Sequence, residues 1–159
     1  MSDVASANWV IAEDESVLKW SGMLGATVIR TLSGNQVATL DSSLGSRFSE
    51  KTASQNPRWG MEDLCPDPLV FAIGTGLPRL RLLATQIDGG SEWENWSPIG
   101  AGPTTLVSRI AAIHQKKSSG GRVMMRTTYE VAGYSARGEK LGVARGFSLD
   151  VGGEAGVAA

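Results

Sequence analysis

The chain holds one imidazole and one thiol, His114 and Cys65, in 159 residues, so any chemistry must be built mainly from carboxylates, hydroxyls and basic side chains. One copy of each excludes an intramolecular disulfide, a zinc cluster built on cysteine and histidine, and any mechanism that needs two imidazoles. Cys65 precedes Pro66 and has no base beside it, and reads as an inert thiol. His114 falls where a long strand pattern meets a polar turn, and reads as an ordinary strand-end histidine. Two basic groups, Arg79 with Arg81 and Lys116, Lys117 with Arg122, are able to meet the phosphates of a small polyanion, although exposed basic residues usually form a solvated face.

The charge balance limits the partners. Fifteen Lys and Arg stand against 16 Asp and Glu, for a net charge of -1, so no overall field attracts nucleic acid or an anionic bilayer. Hydrophobic residues at 42% and charged residues at 19% place the chain in the globular class, and its length fits one domain. Residues 1–15 carry Asp3, Glu13, Asp14 and Glu15 in place of a basic, then apolar, leader, and no apolar run reaches membrane-spanning length. The expectation is a cytoplasmic protein.

The elements that must position these groups follow from hydrophobic spacing. Residues 1–25 read as an N-terminal arm or short amphipathic helix whose Trp9 and Trp20 need a surface to cover. Ala26 to Leu32 reads as a strand before the Ser33-Gly34-Asn35 turn, and Asp41 to Lys51 as a helix that Asn56-Pro57 breaks. Cys65-Pro66-Asp67-Pro68 predicts extended or turn geometry. Between Leu69 and Gln86, Gly74, Gly76 and Pro78 leave about Leu77 to Gln86 for a helix.

After Gly89-Gly90 the period changes to two. Glu92 to Trp96, Thr104 to Ile113, Arg122 to Val131 and Glu139 to Asp150 read as strands, the last three joined by short turns into an antiparallel meander. Thr105, Val107, Arg109, Ala111 and Ile113 are expected on one face. Trp93 and Trp96 have opposite parity, which predicts one of them in the core. In the last strand Leu141, Val143, Phe147 and Leu149 alternate with Gly142, Ala144, Gly146 and Ser148, and the small face invites close approach by a helix or another chain. Residues 152–159 read as a flexible tail. Irregular and helical first, strands last, gives an α+β class with helix packed on one face of an antiparallel sheet.

Two stretches narrow the fold. Asp88 to Pro98, with its Gly89-Gly90 pair and acidic-aromatic strand, then Gly102, Gly120-Gly121-Arg122-Val123 and Gly138 to Gly146, resembles the N-terminal MaoC-like (FAS1-like) dehydratase domains over roughly Val28 to Val151. The resemblance implies a single hot-dog domain over 26–151, an antiparallel sheet wrapped round a short or interrupted central helix. Ala53 to Trp59 resembles the hydratase motif Gly-Asp-x-Asn-Pro-x-His of that family. Asn56 and Pro57 keep the scaffold half, while Ser54 stands at the Asp position and Trp59 at the His position. Hydration of a 2-enoyl thioester needs a pair of polar groups over its double bond, one of them exchanging a proton near neutral pH, and neither replacement does that.

The resemblance therefore implies a non-catalytic subunit of a heteromeric enoyl-CoA hydratase or 3-hydroxyacyl-CoA dehydratase, paired as heterodimer or heterotetramer with a catalytic MaoC-like subunit. Acyl-CoA is the expected ligand, touched by Arg79, Arg81, Lys116, Lys117 and Arg122, with no metal and no other cofactor. A short helix would widen the acyl tunnel, toward bulky lipids or steroid side chains. Two alternatives stay open: an active hydratase on non-standard residues, for which Asp63 and Asp67 are the spare carboxylates, and an acyl-CoA-binding hot-dog module without a hydratase partner.

Overall fold

Four long strands carry the fold, and the preceding segments are fitted to them. The computed structural model describes residues 9–32, 59–100 and 102–152. In chain order the elements are β1 (Val10–Ile11), α1 (Glu15–Leu18), β2 (Val28–Leu32), α2 (Met61–Leu64), α3 (Pro68–Gly74), β3 (Thr85–Asn95), β4 (Gly102–Lys117), β5 (Val123–Tyr134) and β6 (Lys140–Val151). The strands form one antiparallel sheet in the order β1-β4-β5-β6-β3, with β2 also pairing with β4. The meander expected from the period-two pattern is present, with β4 and β5 longer than expected and β6 shifted by one residue. The helix expected over Asp41 to Lys51 lies outside the described residues.

The two edges differ. Residues 10–32 run along β4: Val10 opposes Gln115, Gly22 and Gly25 donate to Ile110 and Ser108 carbonyls, and Val28 opposes Leu106. The arm thus packs on the sheet of its own chain. The opposite edge is β3, eleven residues with only Gln86 less than exposed.

A bulge in β4 between Ile110 and Ala112 corrects the predicted face. Up to the bulge the buried side is Thr104, Leu106, Ser108 and Ile110; beyond it Ile113 is buried and shares the core of Ile110. One extra residue shifts the side-chain parity, so strict alternation assigns Ile113 to the wrong side.

The small face of β6 does what its residues suggest. Gly142, Ala144, Gly146 and Ser148 oppose Gly133, Val131, Tyr129 and Thr127 of β5, and α3 lies on this surface. A Cβ on Gly146 would stand 2.6 Å from the Leu69 nitrogen, and one on Gly142 would stand 2.4 Å from the Glu94 carbonyl. Glycine is required there for space.

The helix itself is not where the sequence pattern put it. Leu77 to Gln86 holds no helix: residues 77–84 are irregular and β3 begins at Thr85. The helix forms earlier because Asp67 caps Val70 (3.2 Å) and Pro68 opens the first turn, while Gly76, at φ +100, ends it. Thereafter two side chains from the sheet hold the backbone. The Tyr129 hydroxyl accepts from the Leu80 N–H (2.9 Å) and donates to the Pro78 carbonyl (2.9 Å), and the buried Asp150 carboxylate accepts from the Leu82 and Leu83 N–H groups. Leu77, Leu80, Leu82 and Leu83 pack in one cluster with Ile110 and Tyr129, filling the space that a longer helix would occupy.

On the other face of the sheet one charge stands on each of four strands. Arg109, Glu130, Arg145 and Glu92 are cross-strand partners in sequence. Glu130, 6% exposed, accepts from Arg109 Nε (3.1 Å) and Arg145 Nε (3.0 Å), and Arg145 reaches Glu92 at 3.2 Å. Burial pushes the Glu130 carboxyl upward, but the two guanidinium groups outweigh it and hold the acid below its ordinary 4.5. A depressed folded value stabilises above the unfolded one and is lost as pH falls through the folded one. Glu130→Gln is expected to cost about 2 kcal/mol at pH 7, discounted for the half-exposed Arg109. That difference should shrink below about pH 4, which urea titration of both proteins at pH 7 and pH 3 would check.

Candidate functional site

Trp59 begins the described part of the degenerate motif, and it is fixed to the end of β3. Its carbonyl accepts from the Ile99 N–H (2.8 Å), the Met61 N–H donates to Asn95 Oδ1 (2.7 Å), and Asn95 Nδ2 donates to Glu62 Oε2 (2.8 Å). Gly60 lies between them, and a Cβ there would stand 2.5 Å from Glu62 Oε2 and 2.6 Å from Asn95 Nδ2, so both side chains would have to shift. The Trp59 side chain is 4% exposed and packs with Leu64, Cys65, Ile99 and Leu106, and its buried indole N–H has no partner among the described residues. A cleft of about 230 Å³ beside it is lined by Trp59, Gly60, Asn95, Trp96, Ser97 and Pro98. Ser54, Asn56 and Pro57 lie outside the described residues.

The spare carboxylates are engaged locally. Asp63 Oδ2 accepts from the Gly60 N–H (2.8 Å) and so closes the turn into α2; burial pushes its carboxyl up, against that hydrogen bond. Asp67 is the N-cap of α3 and exposed. Burial pushes the Cys65 thiol up to about 12, which keeps it protonated and agrees with an inert reading.

The two tryptophans of the acidic-aromatic strand correct an expectation, since neither is core. Trp93 is 39% exposed and donates to the Cys65 carbonyl (2.9 Å); Trp96 is 49% exposed, follows the last residue of β3, and donates to Glu94 (3.1 Å). The strand ends before parity can turn Trp96 inward.

The five basic residues belong to the far end of β4 and to the segment before β3. Lys116 and Lys117 end β4, Arg122 sits in the following turn, and Arg79 and Arg81 precede β3, whose Thr85 opposes Val151 at the end of β6. All but Lys116 are exposed, and Arg81 is turned to the Ala84 carbonyl (3.0 Å). The eleven residues of β3 separate this end from Trp59 by about 30 Å. Within one chain, therefore, this end of the sheet and Trp59 do not form one site.

His114 is not at a strand end. It lies within β4, opposite Ile11 of β1 and Arg126 of β5, with Nδ1 buried and without a partner among the described residues. Neither this pair nor the charge row through Glu130 was visible in the sequence. Both depend on strand register, although single opposite charges inside apolar strands were a signal that could have been followed.

No family model matches the chain, and no curated protein matches it. Among solved structures it is similar to the MaoC-like dehydratase from Rhodospirillum rubrum, at 15% identity and a TM-score of 0.55, over 91% of this chain and 99% of that one. Also similar are the unliganded R-hydratase PhaJ1 from Pseudomonas aeruginosa, at 17% identity over 84% and 83% of the two chains (TM-score 0.47), and a hot-dog-like protein from Thermanaerovibrio acidaminovorans, at 13% over 82% and 83% (TM-score 0.36). The fold is the α+β hot-dog fold of the first of these, in agreement with the resemblance of the β3 to β6 sequence.

Proposed function

We propose that the chain is the non-catalytic subunit of a heteromeric MaoC-like enoyl-CoA hydratase or 3-hydroxyacyl-CoA dehydratase, and forms part of the acyl-CoA site of a catalytic partner. Trp59 carries this reading. At the position where the hydratase motif has its proton-exchanging histidine, the chain has a buried indole that can only donate. The fold shared with the Rhodospirillum rubrum MaoC-like dehydratase supports the reaction class.

The outer edge of β3, which no strand among the described residues pairs, supports the subunit role, because a long exposed edge strand is a template for another strand. Antiparallel addition of the corresponding strand of a related subunit would set the Thr85 end of this chain beside the motif end of that subunit. Arg79, Arg81, Lys116, Lys117 and Arg122 would then lie toward the partner's thioester site, where coenzyme A phosphates need cations. The packed segment 77–83 gives no reason to extend the proposal to steroid-sized acyl groups, and it stops at 2-enoyl-CoA thioesters.

One observation favours turnover by the chain itself: the raised Asp63 carboxyl near the Trp59 cleft. The experiment that separates the two readings is 2-enoyl-CoA hydration by the chain alone and after co-expression with a MaoC-like subunit that retains the Asp and His. The expected result is a stable complex, with activity from the lone chain lower by about three orders of magnitude. Comparable activity from the lone chain, lost in Asp63→Asn, would overturn the proposal.

A further inference from the structure

We infer that Arg126, His114 and Lys116, closed over by Trp9, form a binding site for an oxyanion of the phosphate class. The three residues lie on the same face of the sheet, away from α3. His114 opposes Arg126 across β4 and β5, and Lys116 follows two residues after His114. Trp9, just before β1, brings its ring against both permanent cations, with Lys116 Nζ 4.7 Å and Arg126 Cζ 4.8 Å from the ring centroid. Phe147 holds the guanidinium from another side, at 5.5 Å.

Aromatic faces fix a guanidinium without neutralising it. Among the described residues no carboxylate lies within ion-pair distance of Arg126 or Lys116, although the same sheet face pairs Arg109 and Arg145 with Glu130, Glu92 and Glu94. Glu92 acts on Arg126 only from a distance. Arg126 Nε and His114 Nδ1 are both buried and have no hydrogen-bond partner among the described residues. Two orphaned nitrogens on adjacent strands, beside the Lys116 ammonium, make an arrangement that a tetrahedral anion completes: it accepts from the planar fork, the ammonium and an imidazole that takes up a proton on binding. Burial holds the His114 imidazole below its ordinary range, with the Arg126 charge adding to the effect, and a bound dianion reverses that balance.

The inference does not rest on the acyl-CoA reading, and the sole histidine makes its test direct. The imidazole signals of the full chain would be followed by proton–carbon NMR during titration with inorganic phosphate, coenzyme A and dephospho-coenzyme A, at constant ionic strength. Saturable shifts with phosphate, at a Kd of about 1 mM or tighter, are expected. Arg126→Gln should weaken binding by about tenfold or more, and Lys116→Gln by less. Much tighter binding of coenzyme A than of its dephospho form would identify the 3′-phosphate as the natural ligand, and equal binding of all three would identify free phosphate. Absence of a shift, or an equal shift with chloride, would overturn the site whatever the outcome of the hydratase assay.

Discussion

Gly146→Ala is expected to destabilise the protein by about 3 kcal/mol, while the same change at Gly74 stabilises it by up to about 1 kcal/mol. Neither glycine has positive φ, so the backbone tolerates alanine at both. What differs is the space. At Gly146 the new methyl would meet the backbone nitrogen of Leu69 at 2.6 Å and its Cβ at 2.9 Å, whereas at Gly74 nothing lies within 4 Å. A flexible side chain could move away, but the Leu69 backbone belongs to α3, so relief requires the whole helix to lift from the sheet. That lift strips contacts from Leu69 and Ala72, both buried. Denaturant melts of the two variants would settle it, and a Gly146→Ala protein as stable as wild type would mean that α3 is not pressed on β6.

The alternation of small and large residues in β6 was a correct guide to where the helix packs, and the three strands of the meander were legible in the same way. Each is long enough for period two to stand out, and the turns between β4, β5 and β6 carry glycine and polar residues; of β3 only the part from Glu92 was legible, and its first two residues read as the end of a helix. The helix position was not legible. Glycine and proline after Leu69 marked a break, but the capping role of Asp67 and the first-turn role of Pro68 compete with the extended reading of a Cys-Pro-Asp-Pro run. The irregular segment between α3 and β3 is held by the Tyr129 hydroxyl and the Asp150 carboxylate, which lie far along the chain and which no local pattern reveals.

The site was legible only as a deficit. That Trp59 cannot exchange a proton follows from its identity alone, and the structure adds that it is buried and tied to the end of β3. The separation of Trp59 from the basic residues was hidden, because Arg79 and Arg81 are nearer to it in sequence than Asn95 is. An antiparallel strand carries the chain about 30 Å away from its starting end, so sequence neighbours of the motif end up far from it while Asn95, more distant in sequence, lies beside it.

Removal of the Asp150 carboxylate should have an effect of similar size by a different route. Asp150 is fully buried, and it serves the Leu82 and Leu83 N–H groups through Oδ2 and Gln86 Nε2 (3.1 Å) through Oδ1. Asp150→Ala is expected to cost about 4 kcal/mol, since two backbone donors in the core lose their acceptor and the apolar pocket cannot replace it. Asp150→Asn keeps one oxygen for the backbone but turns an amide donor toward the Gln86 donor, so its cost should be smaller, about 2 kcal/mol. Tyr129→Phe removes the companion anchor, at Leu80 and Pro78, and should fall in the same smaller range. The two anchors hold one segment, so the double variant Asp150→Asn with Tyr129→Phe should lose less than the two single effects added together, because a segment already released by one change has less to lose from the other. Strict additivity in chemical denaturation would show that residues 77–84 are instead held at two independent points.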